Sequence, residues 1–385
     1  MRALKINQDY LRETLEQALA IPSPTGMTNE IVHFCCDQLK QLGIEFELTR
    51  RGAIRATLPG RRKSPDRAIV AHLDTLGAMV THLRDNGRPA VAPVGTWPAR
   101  AAEGARVTLY ADHGKQFRGT LLPLKASGHV YNEEVDQQPA HWDNLELRLD
   151  EVVASGDDVA ALGIQPGDFV AVDPQTELLD NGFWFSRFLD DKAGVAALLA
   201  AARAIVEEDA ELPMDVHLLF TITEETGAGA SHVLHGDVAE LIAVDNGTIA
   251  PDQNTSEYGA TIAMQDSSGP FDYYLSRRLS ALCDSFGIEH SRDVFRHYRS
   301  DAAAALEAGN DIRTALVCFA LDSSHGYERT HRDSVTAVAS LLTLYMQTDA
   351  MFERDADAIG PLQDFPEAQG DWEDSAVEEA VAEGG

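Results

Sequence analysis

The chain reads as an α/β protein with a small all-β domain inserted into it, and three observations carry that reading. Short apolar runs at residues 68–71, 216–223 and 241–245 alternate with helical stretches, the pattern of a sheet flanked by helices. Each run closes on His, Asp or Glu within a few residues. Between Leu76 and about Glu177 the texture changes to short β-type runs separated by turn signals, and no convincing helix interrupts them. At 385 residues the chain can bury a large core, and one large domain with a smaller one is the natural division. We divide it into residues 1–75 and 178–350 as the larger domain, 76–177 as the insert and 351–385 as a tail.

Residues 1–20 mix charges through a modest amphipathic pattern (Leu11, Leu15, Ala18, Leu19), which predicts a first helix. IPSPTGMTNE at 21–30 is a Pro/Gly turn closing on a helix start at Thr28, and residues 30–42 continue as a second helix. Gly43 turns the chain into FELTRRGAIRATL, which alternates like a hairpin. The strand at 68–71 ends in His72-Leu73-Asp74. Residues two apart in a strand share a face, so His72 and Asp74 project together at the strand end where open α/β sheets place their sites.

The insert follows, with β-type runs VTLYAD, FRGTLLPL, HVYN, LELRL and DFVAVDP and turn signals such as Asp85-Asn86-Gly87 and Gln165-Pro166-Gly167-Asp168. Its His113, His129 and His141 lack ligand spacing and read as surface or turn residues. FWFSRFLDDKAGVAALLAAA at 183–202 brings the α/β pattern back. Asp190 and Asp191 stand at the mouth of a helix so apolar that it must pack on several sides. A carboxylate pair there is costly without positive charge beside it, and an ion pair with Lys192 or Arg187 is one way to supply it. VHLLFTIT then leads to Glu224-Glu225, a short helix follows, and the strand LIAVD ends at Asp245. YGATIAMQD reads as a strand, 271–287 as a helix, Ser300-Asp301 as the start of an alanine-rich helix, and TALVCFALD as a buried strand leading to Ser323-Ser324-His325. A helix at 334–348 ends the domain. The acidic, Pro/Gly-interrupted remainder reads as disordered, with Phe365 and Trp372 as docking candidates.

A formal charge of −31 leaves nothing to neutralise phosphates and argues against a nucleic-acid partner. Such acidity suits high ionic strength, where self-repulsion is screened. No stretch spans a membrane and no signal peptide is evident. Four cysteines without ligand spacing read as reduced thiols, which points to the cytoplasm.

His72, Asp190, Glu225, Asp245 and His325 share one property: each follows an apolar strand or opens a helix, so in such a sheet they converge on one rim. Two imidazoles and three carboxylates are what two zinc-like cations need when one carboxylate bridges them. Glu224 adjoins a ligand without being required as one and is free to act as general base on a metal-activated water. Serine chemistry competes poorly, since no G-x-S-x-G occurs.

The motifs AHLD, FLDDKAG, EETGAG, VDNG and SSHGYE, in this order, resemble the glutamyl-aminopeptidase and tetrahedral aminopeptidase family of dinuclear metallopeptidases. The resemblance covers roughly residues 8–350. It implies a zinc-peptidase-like mixed sheet flanked by helices, with the β domain inserted after the first histidine motif. It further implies that His72, Asp190 and Asp245 hold one metal and Asp190, Glu225 and His325 the other. Glu224 is then the base, Asp74 orients His72, a cis peptide follows Asp190, and the subunits form homo-oligomers. Zinc is the expected metal, with cobalt or manganese as alternatives; no organic cofactor is expected. Thr75, where the family usually has glutamate, and the HGYERTHRD loop depart from the pattern. The acidity and these departures also resemble a subgroup associated with synthesis of a dipeptide osmoprotectant. The leading expectation is an aminopeptidase acting on peptides. A deacylase of N-acyl-amino acids or small dipeptide amides, and a metal-free scaffold, are the competing functions.

Overall fold

The computed structural model describes residues 1–235, 237–363 and 365–369. Its centre is a run of four parallel strands, in the order Met214–Thr221, Arg62–His72, Val238–Thr248 and Arg313–Leu321. Covered on both faces, these strands read as continuous apolar runs rather than alternating ones; every residue of the last from Thr314 to Leu321 is buried. Antiparallel neighbours extend the sheet on each side. Ile54–Leu58 and Glu45–Leu48 lie beyond Met214–Thr221, and Ala260–Asp266 lies beyond Arg313–Leu321. The sheet is therefore mixed, nine-stranded and flanked by helices. The strand His290–Val294, too polar to be read from sequence, completes an edge by pairing with Ala260–Asp266.

The helix Leu189–Glu207 is buried on all sides through its first fourteen residues, Leu189 to Ala202. It packs against the helices Gln8–Leu19 and Arg332–Met346 and against the strands Arg62–His72 and Val238–Thr248. Small alanine side chains let it sit that close to its neighbours. A short antiparallel sheet of Glu177–Leu178, Phe183–Ser186 and Glu328–His331 joins the approach to this helix to the segment after His325, with Ser186 opposite Glu328.

A separate six-stranded antiparallel sheet draws all its strands from between Gly77 and Val172 and has its own apolar cluster around Val107, Leu109, Leu147 and Val170. Four short helices there differ from the sequence reading: Ala99–Ala102, Gly128–Tyr131, which takes up most of the HVYN run read as β, Glu134–Gln137 and Gly156–Leu162. Gly156–Leu162 is opened by a capping box in which Ser155 and Asp158 satisfy each other's backbone N–H. Its single buried residue, Val159, gives no apolar period to read. Likewise the short helix expected before Val238–Thr248 is a 3₁₀ turn at Gly229–His232. All four cysteines are free and buried. Past the last helix, Asp355 lies 2.6 Å from Arg313; Phe365 lies under the Arg354 guanidinium. Trp372 and the rest of 370–385 lie outside the described residues.

Candidate active site

The carboxyl ends of the four parallel strands bring the site together, as the geometry of such sheets dictates. His72 is the last residue of its strand, opposite Thr221. Glu224 and Glu225 form a 3₁₀ turn just beyond Thr221, Asp245 lies near the end of its strand opposite Cys318, and His325 follows Leu321 by four residues. Asp190 enters from the mouth of the buried helix. The Asp190–Asp191 peptide is cis, as the resemblance implied, and the two carboxylates part company there. Asp190 faces the histidines, while Asp191 Oδ2 accepts the backbone N–H of His72 at 3.1 Å.

Asp190 divides its oxygens between two groups. Oδ1 lies 3.2 Å from His72 Nε2 and Oδ2 lies 3.3 Å from His325 Nε2, which is also 3.6 Å from Glu225 Oε2. Donor atoms of His72, Asp190 and Asp245 all fall within 4.8 Å of one another, and so do those of Asp190, Glu225 and His325. Glu224 belongs to neither group, although its Oε2 is 3.8 Å from His72 Nε2.

Both imidazoles are oriented through Nδ1 by backbone carbonyls. His72 Nδ1 faces Asp74 O at 2.9 Å and His325 Nδ1 faces Thr96 O at 2.7 Å. With Nδ1–H given to a carbonyl, Nε2 is the nitrogen turned toward the carboxylates: protonated it hydrogen-bonds Asp190, and deprotonated it offers the lone pair a metal needs. Asp74 thus meets His72 through its backbone carbonyl, while its nearer carboxylate oxygen stays 3.7 Å from the ring. That carboxylate accepts the N–H groups of Glu224 and Glu225 at 3.1 and 3.3 Å and the hydroxyl of Thr25 at 2.6 Å. It therefore fixes the Glu224-Glu225 turn. Thr75, one of the departures noted in the sequence, is buried and bonded to the same Pro/Gly turn through Ser23 and Thr25.

Three groups were not assigned from sequence. Glu328 accepts the N–H of Asp190 at 3.2 Å and that of His325 at 3.0 Å, one on each carboxylate oxygen. Asn246 donates to Asp190 Oδ2 at 2.8 Å and to Asp245 Oδ1 at 3.1 Å. Buried Asp301 accepts from Thr221 at 2.9 Å. Glu328 and Asn246 stand inside the quoted motifs SSHGYE and VDNG, so the signal was present; their direction was not.

The ion pair weighed in the sequence does not form. Lys192 is buried but donates to Ile21 O at 2.6 Å, and Arg187 reaches Gly326 O. Among the described residues neither forms an ion pair with Asp190 or Asp191. Burial, with the charge of Asp190 beside them, pushes the Asp245 carboxyl up to about 7 and that of Glu225 up to about 8. Burial also lifts Glu224 well above the carboxylate range, with Asp245, Asp301 and Glu225 adding to it. Asp190 alone goes the other way. Burial would raise it too, but the hydrogen bonds with His325 and His72 outweigh that and hold it low. Asp191 Oδ1, Glu225 Oε1 and Asn246 Oδ1 are buried without a hydrogen-bond partner. Burial would lower both imidazoles, but the same carboxylates raise His72 and push His325 up to about 10. Two imidazoles are still outnumbered by the buried acids and orphaned oxygens around them, which call for more positive charge. The donor set, two imidazoles and three carboxylates with one shared, fits two zinc-like cations.

Fold and site together define a metallohydrolase of the peptidase type. Residues 52–341 match the family model described as M42 glutamyl aminopeptidase, and the chain belongs to that family. It is accordingly a hydrolase of the aminopeptidase class. YhfE, an inferred aminopeptidase of Bacillus subtilis (strain 168), is 39% identical over 336 residues, spanning 87% of this chain and 97% of that one. Glutamyl aminopeptidase of Lactococcus lactis is 26% identical over 218 residues, 55% of this chain and 59% of its own. Among solved structures, the aminopeptidase from Desulfurococcus kamchatkensis superposes with a TM-score of 0.78 at 19% identity, over 88% of this chain and 95% of that one. The TET1 peptidase of Pyrococcus horikoshii does so at 0.76 and 23%, over 87% and 99%. At such identities the structural likeness is one of fold. Among the described residues no helix is long and apolar enough to cross a membrane.

Proposed function

We propose that the chain removes N-terminal residues from peptides. In this reading His72, Asp190 and Asp245 hold one divalent cation and Asp190, Glu225 and His325 hold a second. The observation that carries it is the division of Asp190, one oxygen toward each histidine, with Glu224 close by and outside both groups. When bound, two such cations acidify water near neutral pH and polarise a carbonyl. Glu224 takes the proton of the attacking water and returns it to the departing amine. Burial raises its pKa, which makes the captured proton easier to hold until the amine departs. Asp74 holds Glu224 and Glu225 in place through their N–H groups, and Asn246 and Glu328 fix the angle of Asp190.

A cleft of about 1750 Å³ opens over these residues, large enough for several residues of an extended peptide. Its acid-rich floor suits a free α-ammonium group better than an acylated nitrogen, which favours aminopeptidase over deacylase. The test is metal content together with a panel of aminoacyl-anilides and N-acylated counterparts. Turnover of the free-amine substrates that stops on chelation and returns with zinc, cobalt or manganese supports the reading. Hydrolysis confined to acylated substrates, or indifferent to chelation, overturns it.

We further infer a homo-oligomer in which residues 76–177, as an inserted unit beside the site, contribute contacts. The fold likeness to the Pyrococcus horikoshii TET1 peptidase, described as assembling into a tetrahedron or a large octahedral shell, supports this.

A further inference from the structure

At the opposite end of the central strands from the rim, Asp66, His217 and His235 converge. His217 lies four residues before Thr221, which stands opposite His72, so at about 3.3 Å per residue this cluster sits roughly 13 Å from the paired groups. His217 Nε2 is 3.0 Å from Asp66 Oδ2 and 3.1 Å from His235 Nε2. Its other nitrogen, Nδ1, is 3.0 Å from Thr57 Oγ1.

Hydrogen bonding alone does not satisfy this arrangement. A ring nitrogen carries one hydrogen at most, so Nε2 of His217 can give it to Asp66 or to His235, and the remaining close contact goes unserved. If His217 carries its hydrogen on Nδ1, toward Thr57, its Nε2 lone pair faces a carboxylate oxygen with no proton between them. Asp66 and His217 are each only 6% exposed, and Asp66 Oδ1 and His235 Nδ1 are buried without a partner. A divalent cation resolves the conflict by accepting all three atoms. With zinc–ligand bonds of about 2.0–2.1 Å, tetrahedral ligand atoms stand roughly 3.3 Å apart, close to the 3.0 and 3.1 Å from His217 Nε2 to its two neighbours, and all three donor atoms fall within 4.8 Å of one another.

We propose that Asp66, His217 and His235 form a third cation site, taking a zinc-like divalent metal through two imidazoles and one carboxylate with a water completing the shell. Thr57 orients the His217 ring by accepting from Nδ1, and the Arg55 guanidinium holds the carbonyls of Val233 and Leu234 next to His235. The acids Asp215 and Asp237 add negative charge around Asp66. Bound there, a metal ties the segment after the Glu224-Glu225 turn to the body of the sheet, a structural role separate from catalysis.

The test is zinc bound per full-length chain after equilibrium dialysis, with zinc-edge anomalous diffraction from the same protein. Three zinc ions are expected for the wild type, two for His217→Gln and for His235→Ala, and one for Asp190→Ala. His235→Ala alters a loop residue and should leave anilide turnover within about twofold of wild type. An anomalous peak between the three side chains is expected in wild-type crystals. No peak there while the Asp190 pair is filled, or a third zinc that survives both histidine substitutions, overturns the proposal.

Discussion

Glu224 and Glu225 are chemically identical neighbours separated by what surrounds them. Glu225 reaches His325 at 3.6 Å and belongs to a donor group, whereas Glu224 approaches His72 at 3.8 Å from outside both groups. Glu224→Gln should therefore keep its metal, by elemental analysis, and lose about 10²–10⁴-fold in turnover; near-normal turnover would remove Glu224 as the base. Asp190→Ala should lose both cations of the pair together, and retention of either would show that Asp190 is not shared. Glu328 acts at one remove through two backbone N–H groups, so Glu328→Ala should weaken zinc affinity by about 10–100-fold in a chelator competition. The convergence of His72, Asp190, Glu225, Asp245 and His325 was legible in sequence because each sits at a strand end or helix mouth, where position alone fixes direction. Glu328 was not, because its aim depends on the pairing of Ser186 with Glu328 across 142 residues.

The buried helix Leu189–Glu207 carries two consequences at the scale of an element. Lys192 lies on it with its amine pushed down to about 7 by burial. Between about pH 7 and 10 the unfolded chain then binds more protons than the folded one, so this lysine makes stability rise with pH, on the order of 4 kcal/mol across the window. The difference in unfolding free energy between wild type and Lys192→Met should grow by that order over the same range in urea titrations. A pH-independent difference would show that the amine is not desolvated. Gly194 is the second case. A Cβ there would stand 2.1 Å from Asp191 Oδ1, so Gly194→Ala should displace the carboxylate that holds the N–H of His72 and cut metal affinity with little change in helix content by circular dichroism. Apolar period made this helix readable. The helix Gly156–Leu162 and the strand His290–Val294 offered no such period, the first resting on its caps and the second on an edge pairing.

For the whole molecule, light scattering at micromolar concentration should report a homo-oligomer, and a monomer would count against contacts through residues 76–177. The shift from buried runs to turn-punctuated short strands made the second sheet visible in sequence, but not how the two sheets meet. They meet in part at Thr96, whose carbonyl receives Nδ1 of His325 from across the site. Thr96 follows a strand of the six-stranded sheet, and His325 follows a strand of the nine-stranded one. The two units are thus geared together through this imidazole, which belongs to the site itself. A drift of one against the other by a fraction of an ångström would turn that ring, so a lineage cannot remodel the smaller unit's mounting without retuning its chemistry. Variation in the insert should accordingly concentrate away from residues 95–97, on surfaces whose movement the ring does not feel.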